Sequence, residues 1–184
     1  MEIIQKFLTN NDCYIAGKKI IPKGILVHST ATPGVMAKDW YDMWNKSYAA
    51  GETNRQVCVH AFLDDKDIYQ YLPWNHRGWH AGGSANNTHI GFEICEPAGH
   101  SYQGPTMIDY NVERNKEYFD TVFMRAAQLC AFLCKEYNLT EKDIITHCEG
   151  HQLGVASNHA DVMHWFPKHN EDMDSFRVLV KSLL

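Results

Sequence analysis

The sequence predicts a mixed α/β domain with a single central β-sheet flanked by helices. Short aliphatic runs alternate along the chain with segments of helical periodicity, and this order is typical of strands and helices built around one sheet. A length of 184 residues fits one domain, and no internal repeat or low-complexity stretch indicates a second. We therefore expect residues 1–184 to form one domain, with residues 1–23 as an irregular entry segment.

The first half of the chain contains four predicted strands and one helix. GILVHS at 24–29 is a β-branched and aliphatic run, which predicts a buried strand. Residues 36–48 carry Met, Trp and Tyr at helical spacing and predict a helix. VCVHAFL at 57–63 and DIYQYLP at 67–73 are joined by an Asp-rich turn and predict a hairpin. HIGFEIC at 89–95 is apolar at most positions, so we expect a central strand.

Two stretches between these elements predict loops. Residues 74–88, WNHRGWHAGGSANNT, hold too many Gly and Asn residues for regular structure. Long loops inside compact domains are usually functional. Residues 96–112 are also predicted to be irregular.

The second half predicts two helices around a short strand. Residues 113–137 give the strongest helical pattern, with apolar residues spaced by three and four along one face. A capping signal at Thr140 and Asp143 precedes the short strand DIITH at 143–147. A histidine-rich loop is expected at 148–169, and residues 171–184 predict an amphipathic helix with acidic residues in its first turn.

Composition excludes several classes of protein. The formal net charge of −5 argues against nucleic-acid binding driven by phosphate neutralisation. No run approaches the 18 or so apolar residues of a membrane span, and the N-terminus does not resemble a signal peptide. We expect synthesis in the cytoplasm and six reduced cysteines, with three disulfides as the alternative. The oligomeric state is not predicted.

Histidines are the candidate metal ligands. Five of the 11 histidines fall between residues 147 and 169. His28 and His147 each end a predicted strand, so two strands of one sheet could direct imidazoles at one point. A catalytic zinc site needs three protein ligands and one open position. The loop after His147 offers the candidates for the third ligand, which are Cys148, Glu149, His151, His159, Asp161 and His164.

Other residues are candidates for catalysis and substrate binding. Glu93 places a carboxylate in an apolar strand, where it would serve as a general base or form a buried salt bridge. His60 could contact substrate, support a ligand or pack in the core. Trp74 and Trp79 flank glycines in the long loop and could form the wall of a sugar or peptide groove.

Four blocks of sequence, in their order and spacing, resemble a known family. They are KGILVHSTA (23–31), HAFLDDKDIYQYLPWNHRGWHAGG (60–83), HIGFEICE (89–96) and THCEGHQLGVASNHAD (146–161). Together they resemble the type 2 N-acetylmuramoyl-L-alanine amidases, a zinc-dependent family that includes phage endolysins and peptidoglycan recognition proteins. The resemblance runs over nearly the whole chain.

The resemblance implies a fold, a cofactor and roles for residues. It implies a zinc amidase or peptidoglycan-recognition-like fold, with Zn²⁺ held by His28, His147 and Asp161. Glu93 matches the acid on the central strand of the family. His159 stands where the family usually has Lys and would stabilise the oxyanion. The expected substrate contacts are His60, Trp74, Trp79 and His80.

Alternatives remain for the ligand set and the metal. Cys148, His151 or His164 could replace Asp161 as the third ligand. Copper, nickel or cobalt could occupy the same ligands, although the ligand type favours zinc.

The implied reaction is hydrolysis of the amide between the lactyl group of N-acetylmuramic acid and L-alanine in peptidoglycan. The opening residues FLTNNDCYIAGKKIIPKG resemble those of endolysins from Gram-positive phages and prophages, which implies an endolysin that reaches the cell wall after release, for example through a holin pore. The alternatives are a non-catalytic peptidoglycan-binding module of the same fold and a cytoplasmic amidase that recycles cell-wall fragments.

Overall fold

A computed structural model describes residues 1–184 and contains one six-stranded mixed sheet. Its strands are β1 (Ile4–Gln5), β2 (Gly24–Ser29), β3 (Ala61–Leu63), β4 (Ile68–Gln70), β5 (His89–Ile94) and β8 (Ile144–Thr146), in the spatial order β1-β4-β3-β5-β2-β8. All neighbours are parallel except the hairpin β3–β4. A separate antiparallel hairpin consists of β6 (Ser101–Gln103) and β7 (Thr106–Ile108). The predicted mixed α/β class is confirmed.

Five helices and four short 3-10 turns surround the sheet. The helices are α1 (Asp12–Ala16), α2 (Trp40–Trp44), α3 (Lys116–Tyr137), α4 (His147–Gln152) and α5 (Met173–Leu183). Long helix α3 packs against α5 and the sheet, and α2 packs against the opposite face of the sheet through Trp40 and Phe62. No helix has both the length and the apolarity needed to cross a membrane.

The two faces of the sheet have different neighbours because side chains alternate along a strand. Ile25 and Val27 of β2 and Ile90 and Phe92 of β5 point into the main core, where they meet the apolar face of α3. His28 is in register with Glu93 on β5, and Glu93 is in register with Phe62 on β3. The alternation therefore places these three side chains together on the face opposite the main core.

Three stretches that were predicted to be irregular contain regular structure. The entry segment forms β1, which pairs with β4, and α1, which Asn11 caps. Residues 96–112 contain the β6–β7 hairpin, and α4 occupies the start of the predicted histidine-rich loop. These elements have two to six residues, too few to show a hydrophobic period.

The predicted helix at 36–48 is shorter than expected. A 3-10 turn spans Ala37–Asp39 and α2 spans Trp40–Trp44. The apolar residues of this segment follow a helical period, but the α-helix contains only five residues. Asn45 ends it.

Candidate active site

The candidate site lies at one edge of the sheet, where parallel strands β2, β5 and β8 end. His28 is the penultimate residue of β2, Glu93 is the penultimate residue of β5, and His147 directly follows β8. The carboxyl ends of parallel strands share one edge, which is the usual position of sites in open α/β sheets. The loop after α4 brings Asp161 to the same point.

Three potential ligand atoms converge there. The Nδ1 atom of His28 lies 3.0 Å from Oδ2 of Asp161 and 3.3 Å from Nδ1 of His147. The Nδ1 atom of His147 lies 3.6 Å from the same Asp161 oxygen. Tetrahedral zinc with nitrogen ligands at about 2.0–2.1 Å would separate its ligand atoms by about 3.3 Å. The spacing of the three atoms therefore fits a zinc-sized cation.

The outer hydrogen bond of His28 fixes its tautomer. Nε2–H of His80 donates to the carbonyl oxygen of His89 at 3.3 Å, which leaves Nδ1 of His80 as an acceptor. Nε2–H of His28 donates to that acceptor at 3.0 Å. The proton of the neutral His28 ring therefore lies on Nε2, and Nδ1 presents its lone pair to the three-atom cluster.

His147 is oriented in the same way through Ser157. The Ser157 hydroxyl donates to the carbonyl oxygen of Ala81 at 3.3 Å and accepts a hydrogen bond from Nε2–H of His147 at 3.0 Å. Two imidazole lone pairs and one carboxylate oxygen thus face each other with no proton left to share. A cation would satisfy this arrangement, and such outer partners orient metal-ligating histidines in general.

The protonation states support the same arrangement. Burial lowers the pKa of His28, although the Asp161 carboxylate opposes this shift. Burial acts to raise the pKa of Asp161, but the adjacent His147 and His28 rings outweigh it and hold that pKa far below its ordinary value. Neutral imidazoles and an ionised carboxylate are the forms that bind a metal.

A capping box positions His147 as the first residue of α4. The Thr146 hydroxyl accepts a hydrogen bond from the Glu149 N–H, and the Glu149 carboxylate accepts one from the Thr146 N–H. Arg177 of α5 donates to both oxygens of Glu149 at 2.7 and 2.6 Å and to the carbonyl of Ile144. Helix α5 therefore holds the start of α4, and with it the ligand, against the end of β8.

Glu93 lies beside the three-atom cluster without a partner of its own. Its Oε2 atom is buried and makes no hydrogen bond. Burial raises the pKa of Glu93 well above its ordinary value, and the negative charges of Asp161 and Glu96 raise it further. A carboxyl group with a raised pKa that lies beside a reacting group is suited to transfer a proton in both directions.

A cavity of about 390 Å³ opens over these groups. His28, His147, Asp161 and Glu93 line it together with the predicted residues His159, Trp79 and His80. The exposed His159 ring stacks on His147, with ring centroids 4.5 Å apart and an interplanar angle of 15°. His159 therefore borders the cavity next to His147, a candidate metal ligand.

The structure places two of the expected substrate contacts elsewhere. His60 is fully buried, donates from Nε2 to the carbonyl of His76 and accepts the Gly91 N–H at Nδ1. Trp74 stacks on His60 and packs on the main core. Neither lines the cavity, so the expectation of substrate contact at these two positions is corrected: both nitrogens of His60 are used within the protein.

The alternative third ligands also lie away from the cluster. Asp161 is the residue that joins the two histidines in a group of ligand spacing. His151 is exposed and points to the carbonyl of Ala156, whereas His164 is bound to Glu96. Cys148 lies on α4 near Gln152, and all six cysteines are free thiols.

Sequence reasoning missed several residues of the site. Ser157 and Arg55 lie in stretches without periodicity, and nothing in the sequence marked them. Trp40 and Trp44 were recognised only as part of a helical pattern, yet both line the cavity with Phe62. The ring centroids of Trp40 and Trp44 lie 5.5 Å apart, and those of Trp40 and Phe62 lie 4.7 Å apart. These three aromatic side chains form one wall of the cavity that also contains the candidate ligands.

Curated relatives of the chain are N-acetylmuramoyl-L-alanine amidases. It is 38% identical over 101 residues to the N-acetylmuramoyl-L-alanine amidase XlyA of Bacillus subtilis (strain 168), a match that covers 53% of this chain and 33% of XlyA. It is 28% identical over 148 residues to CwlL of Bacillus licheniformis, covering 80% of this chain and 39% of CwlL. The chain thus matches about one third to two fifths of the length of these relatives.

Solved structures share the fold over the whole chain. PlyL superposes with a TM-score of 0.72 at 21% identity, covering 100% of this chain and 99% of PlyL. The catalytic domain of XlyA superposes with a TM-score of 0.67 at 26% identity, covering 98% and 99% of the two chains. The family model described as N-acetylmuramoyl-L-alanine amidase matches residues 17–167. Through this match over most of its length, the chain belongs to the N-acetylmuramoyl-L-alanine amidase family.

Proposed function

We propose that this chain is the catalytic domain of a zinc-dependent amidase that cleaves the bond between the lactyl group of N-acetylmuramic acid and L-alanine in peptidoglycan. The observation that carries the proposal is the convergence of two imidazole lone pairs and a carboxylate beside the buried, unpartnered Glu93. Membership of the amidase family supports the substrate class.

His28, His147 and Asp161 would hold Zn²⁺ through the three atoms that face each other at 3.0–3.6 Å. Bound zinc supplies a Lewis acid, which polarises the amide carbonyl and makes water more acidic. His80 and Ser157 keep the two histidines in the tautomers that this role requires.

Glu93 is the proposed general base and acid. It takes a proton from the water that attacks the carbonyl carbon and passes that proton to the L-alanine nitrogen, which leaves as the amino terminus of the stem peptide. Its raised pKa favours the second half of this transfer, since a carboxyl group of ordinary acidity would hold the proton too weakly.

His159 is the proposed hydrogen-bond donor to the carbonyl oxygen as negative charge develops on it. Its ring is exposed to the cavity and is held beside His147 by stacking. Trp79 and His80 also border the space in which the substrate would lie.

The convergence of three candidate ligand atoms beside an unpartnered carboxyl group supports the catalytic proposal over the non-catalytic alternative. We infer further that the domain acts on the bacterial cell wall, as the names of its relatives indicate for them. We also propose that the protein is released through a holin-type pore if it is encoded by a phage.

The experiment that tests the proposal follows new L-alanine amino termini in purified peptidoglycan. We expect them to appear with the protein, to disappear after chelation and to return with Zn²⁺. The matched control is Glu93→Gln, which should bind the metal without releasing the termini. Activity that survives complete metal removal contradicts the zinc mechanism, and an absence of new termini with zinc bound contradicts the amidase assignment.

A further inference from the structure

One side of the cavity carries an unpaired positive charge. Arg55 is the sole lysine or arginine among the residues that line the cavity. It is exposed, and its only hydrogen bond within the protein runs from the backbone N–H to the Thr53 hydroxyl. Arg55 lines the same cavity as Glu93, the candidate catalytic carboxyl.

A second hollow of about 100 Å³ lies next to the cavity on this side. The two spaces share Trp44, Arg55 and Val57 as lining residues. The second hollow is also lined by Lys46, which is exposed and unpaired, and by no acidic residue. The acidic side chains Glu93 and Asp161 therefore lie within the cavity, and two cationic side chains border it on one side: Arg55 in its wall and Lys46 in the adjoining hollow.

The cationic side of the cavity would attract only one of the two parts of a muramyl peptide, because the sugar part and the peptide part differ in charge. The lactyl carboxyl is consumed in the amide that is cleaved, so the sugar half carries no negative charge. The peptide half carries carboxylates, beginning with the α-carboxylate of the second residue when that residue is γ-linked glutamate. An arginine pairs with a carboxylate through charge-assisted hydrogen bonds.

We propose that Arg55, with Lys46 beyond it, binds a carboxylate of the stem peptide on the leaving-amine side of the cleaved bond. This inference rests on the proposed function. Substrates with a free α-carboxylate on the second peptide residue are then preferred over substrates that carry a carboxamide there. The peptide then extends from the cleaved bond beside Glu93 towards Arg55 and Lys46.

Glu93 and Arg55 line the same cavity of about 390 Å³. An extended residue spans about 3.3–3.6 Å, so a carboxylate on the second residue would lie roughly 7–10 Å from the cleaved bond.

The test compares two muramyl tripeptides that differ only in a carboxylate or a carboxamide at the second residue. Wild type, Arg55→Gln and Arg55→Lys are assayed for kcat/KM, and Arg114→Gln is the control because Arg114 is exposed and lines neither hollow. We expect Arg55→Gln to lower kcat/KM for the carboxylate substrate about tenfold, as for loss of a hydrogen bond to a charged group. The carboxamide substrate should change less than about twofold, and Arg55→Lys should restore part of the preference.

A binding measurement separates this inference from the proposed function. The affinity of both tripeptides is measured with Glu93→Gln protein and with the double variant Glu93→Gln/Arg55→Gln. If the protein prefers the carboxylate tripeptide in binding and Arg55→Gln abolishes that preference, the inference is supported. This holds even if wild type cleaves neither tripeptide, because a lack of cleavage would contradict only the proposed amidase activity. Equal effects of Arg55→Gln on both tripeptides, in cleavage and in binding, overturn the inference and leave the amidase assignment standing.

Discussion

Glu93 is a carboxyl group whose surroundings oppose its charge. Its Oε2 atom is buried without a hydrogen bond, and burial raises its pKa. Glu93→Gln keeps the shape of the side chain but cannot accept a proton, so we expect kcat to fall by about 10²–10⁴-fold with metal content unchanged. Turnover and bound metal are measured on the same sample. Turnover close to that of wild type would remove Glu93 from the mechanism.

His159 makes a different prediction, because its ring touches a candidate ligand without joining the ligand group. His159→Ala should lower kcat by about 10²–10³-fold, the usual cost of losing one oxyanion donor, while zinc stays bound. The control is His151→Ala, which removes an exposed histidine outside the cavity. A parallel loss of zinc stoichiometry would show that His159 is a ligand.

Gly91 matters because the His80 ring lies against its backbone. A Cβ atom at position 91 would come within 2.4 Å of Nδ1 of His80, the atom that accepts the hydrogen bond of His28. Gly91→Ala should therefore displace His80 and weaken zinc binding by about 10–100-fold, the range for loss of an outer partner.

A double-mutant cycle checks this explanation by chelator competition. In a His80→Ala background the ring is absent, so Gly91→Ala should weaken zinc binding little further. Additive losses would mean that Gly91 acts through some other contact.

How far the site could be predicted differs among its residues. His28 and His147 stood out because each ends a predicted strand, and the ends of parallel strands meet at one edge of a sheet. Asp161 was one of six candidates until the family resemblance selected it. Arg55 and Ser157 could not be found, since their roles depend on contacts across long stretches of chain, such as the hydrogen bond from Ser157 to Ala81.

At the scale of elements, Glu96 joins segments that follow several strands. Its Oε1 atom accepts hydrogen bonds from Nε2–H of His164 at 3.0 Å and from the Ala31 N–H at 3.2 Å. Its Oε2 atom accepts hydrogen bonds from Nε2–H of His100 at 3.1 Å and from the Tyr102 hydroxyl at 2.8 Å. The buried carboxylate thus connects the loop after β2, the β6–β7 hairpin and the loop that carries Asp161.

This carboxylate predicts an acid-sensitive fold. Burial acts to raise the pKa of Glu96, but hydrogen bonds from His100 and His164 outweigh it and lower the pKa to about 2. A depressed pKa in the folded state gives stability that is complete above the unfolded value, near pH 4.5, and is lost as pH falls towards 2. The shift corresponds to about 3 kcal/mol of the free energy of unfolding.

Denaturant unfolding between pH 6 and pH 2 measures this contribution. Glu96→Gln should be less stable than wild type at neutral pH but should lose less stability between pH 4.5 and 2. If the two proteins lose stability in parallel over that range, another carboxylate accounts for the acid sensitivity.

The elements that sequence reasoning missed share a physical cause. The strands β2 and β5 have six residues each and the helix α3 has 22, so these elements are long enough to show a hydrophobic pattern in the sequence. The strand β1 has two residues, and it exists because β4, more than 60 residues later, offers a free edge. Such pairing depends on the assembled sheet and not on local propensity.

At the scale of the whole molecule, the candidate ligands connect distant parts of the chain. His28 and Asp161 are separated by 133 positions, and His28 and His147 by 119. In the folded protein their acceptor atoms face one another within 3.6 Å. Because this cluster forms only when β2, β8 and the loop after α4 assemble, a cation that binds there should stabilise the entire fold.

Zinc should therefore raise the free energy of unfolding by mass action, by about 4 kcal/mol when free zinc is 1,000 times its Kd. Thermal unfolding is followed with and without zinc for wild type, Glu93→Gln and His147→Ala. Glu93→Gln should retain the full zinc-dependent rise in Tm, because its carboxylate is outside the ligand group, whereas His147→Ala should lose most of it. An equal rise in all three proteins would mean that zinc binds at another place, and the assignment of His28, His147 and Asp161 as the ligands would fall.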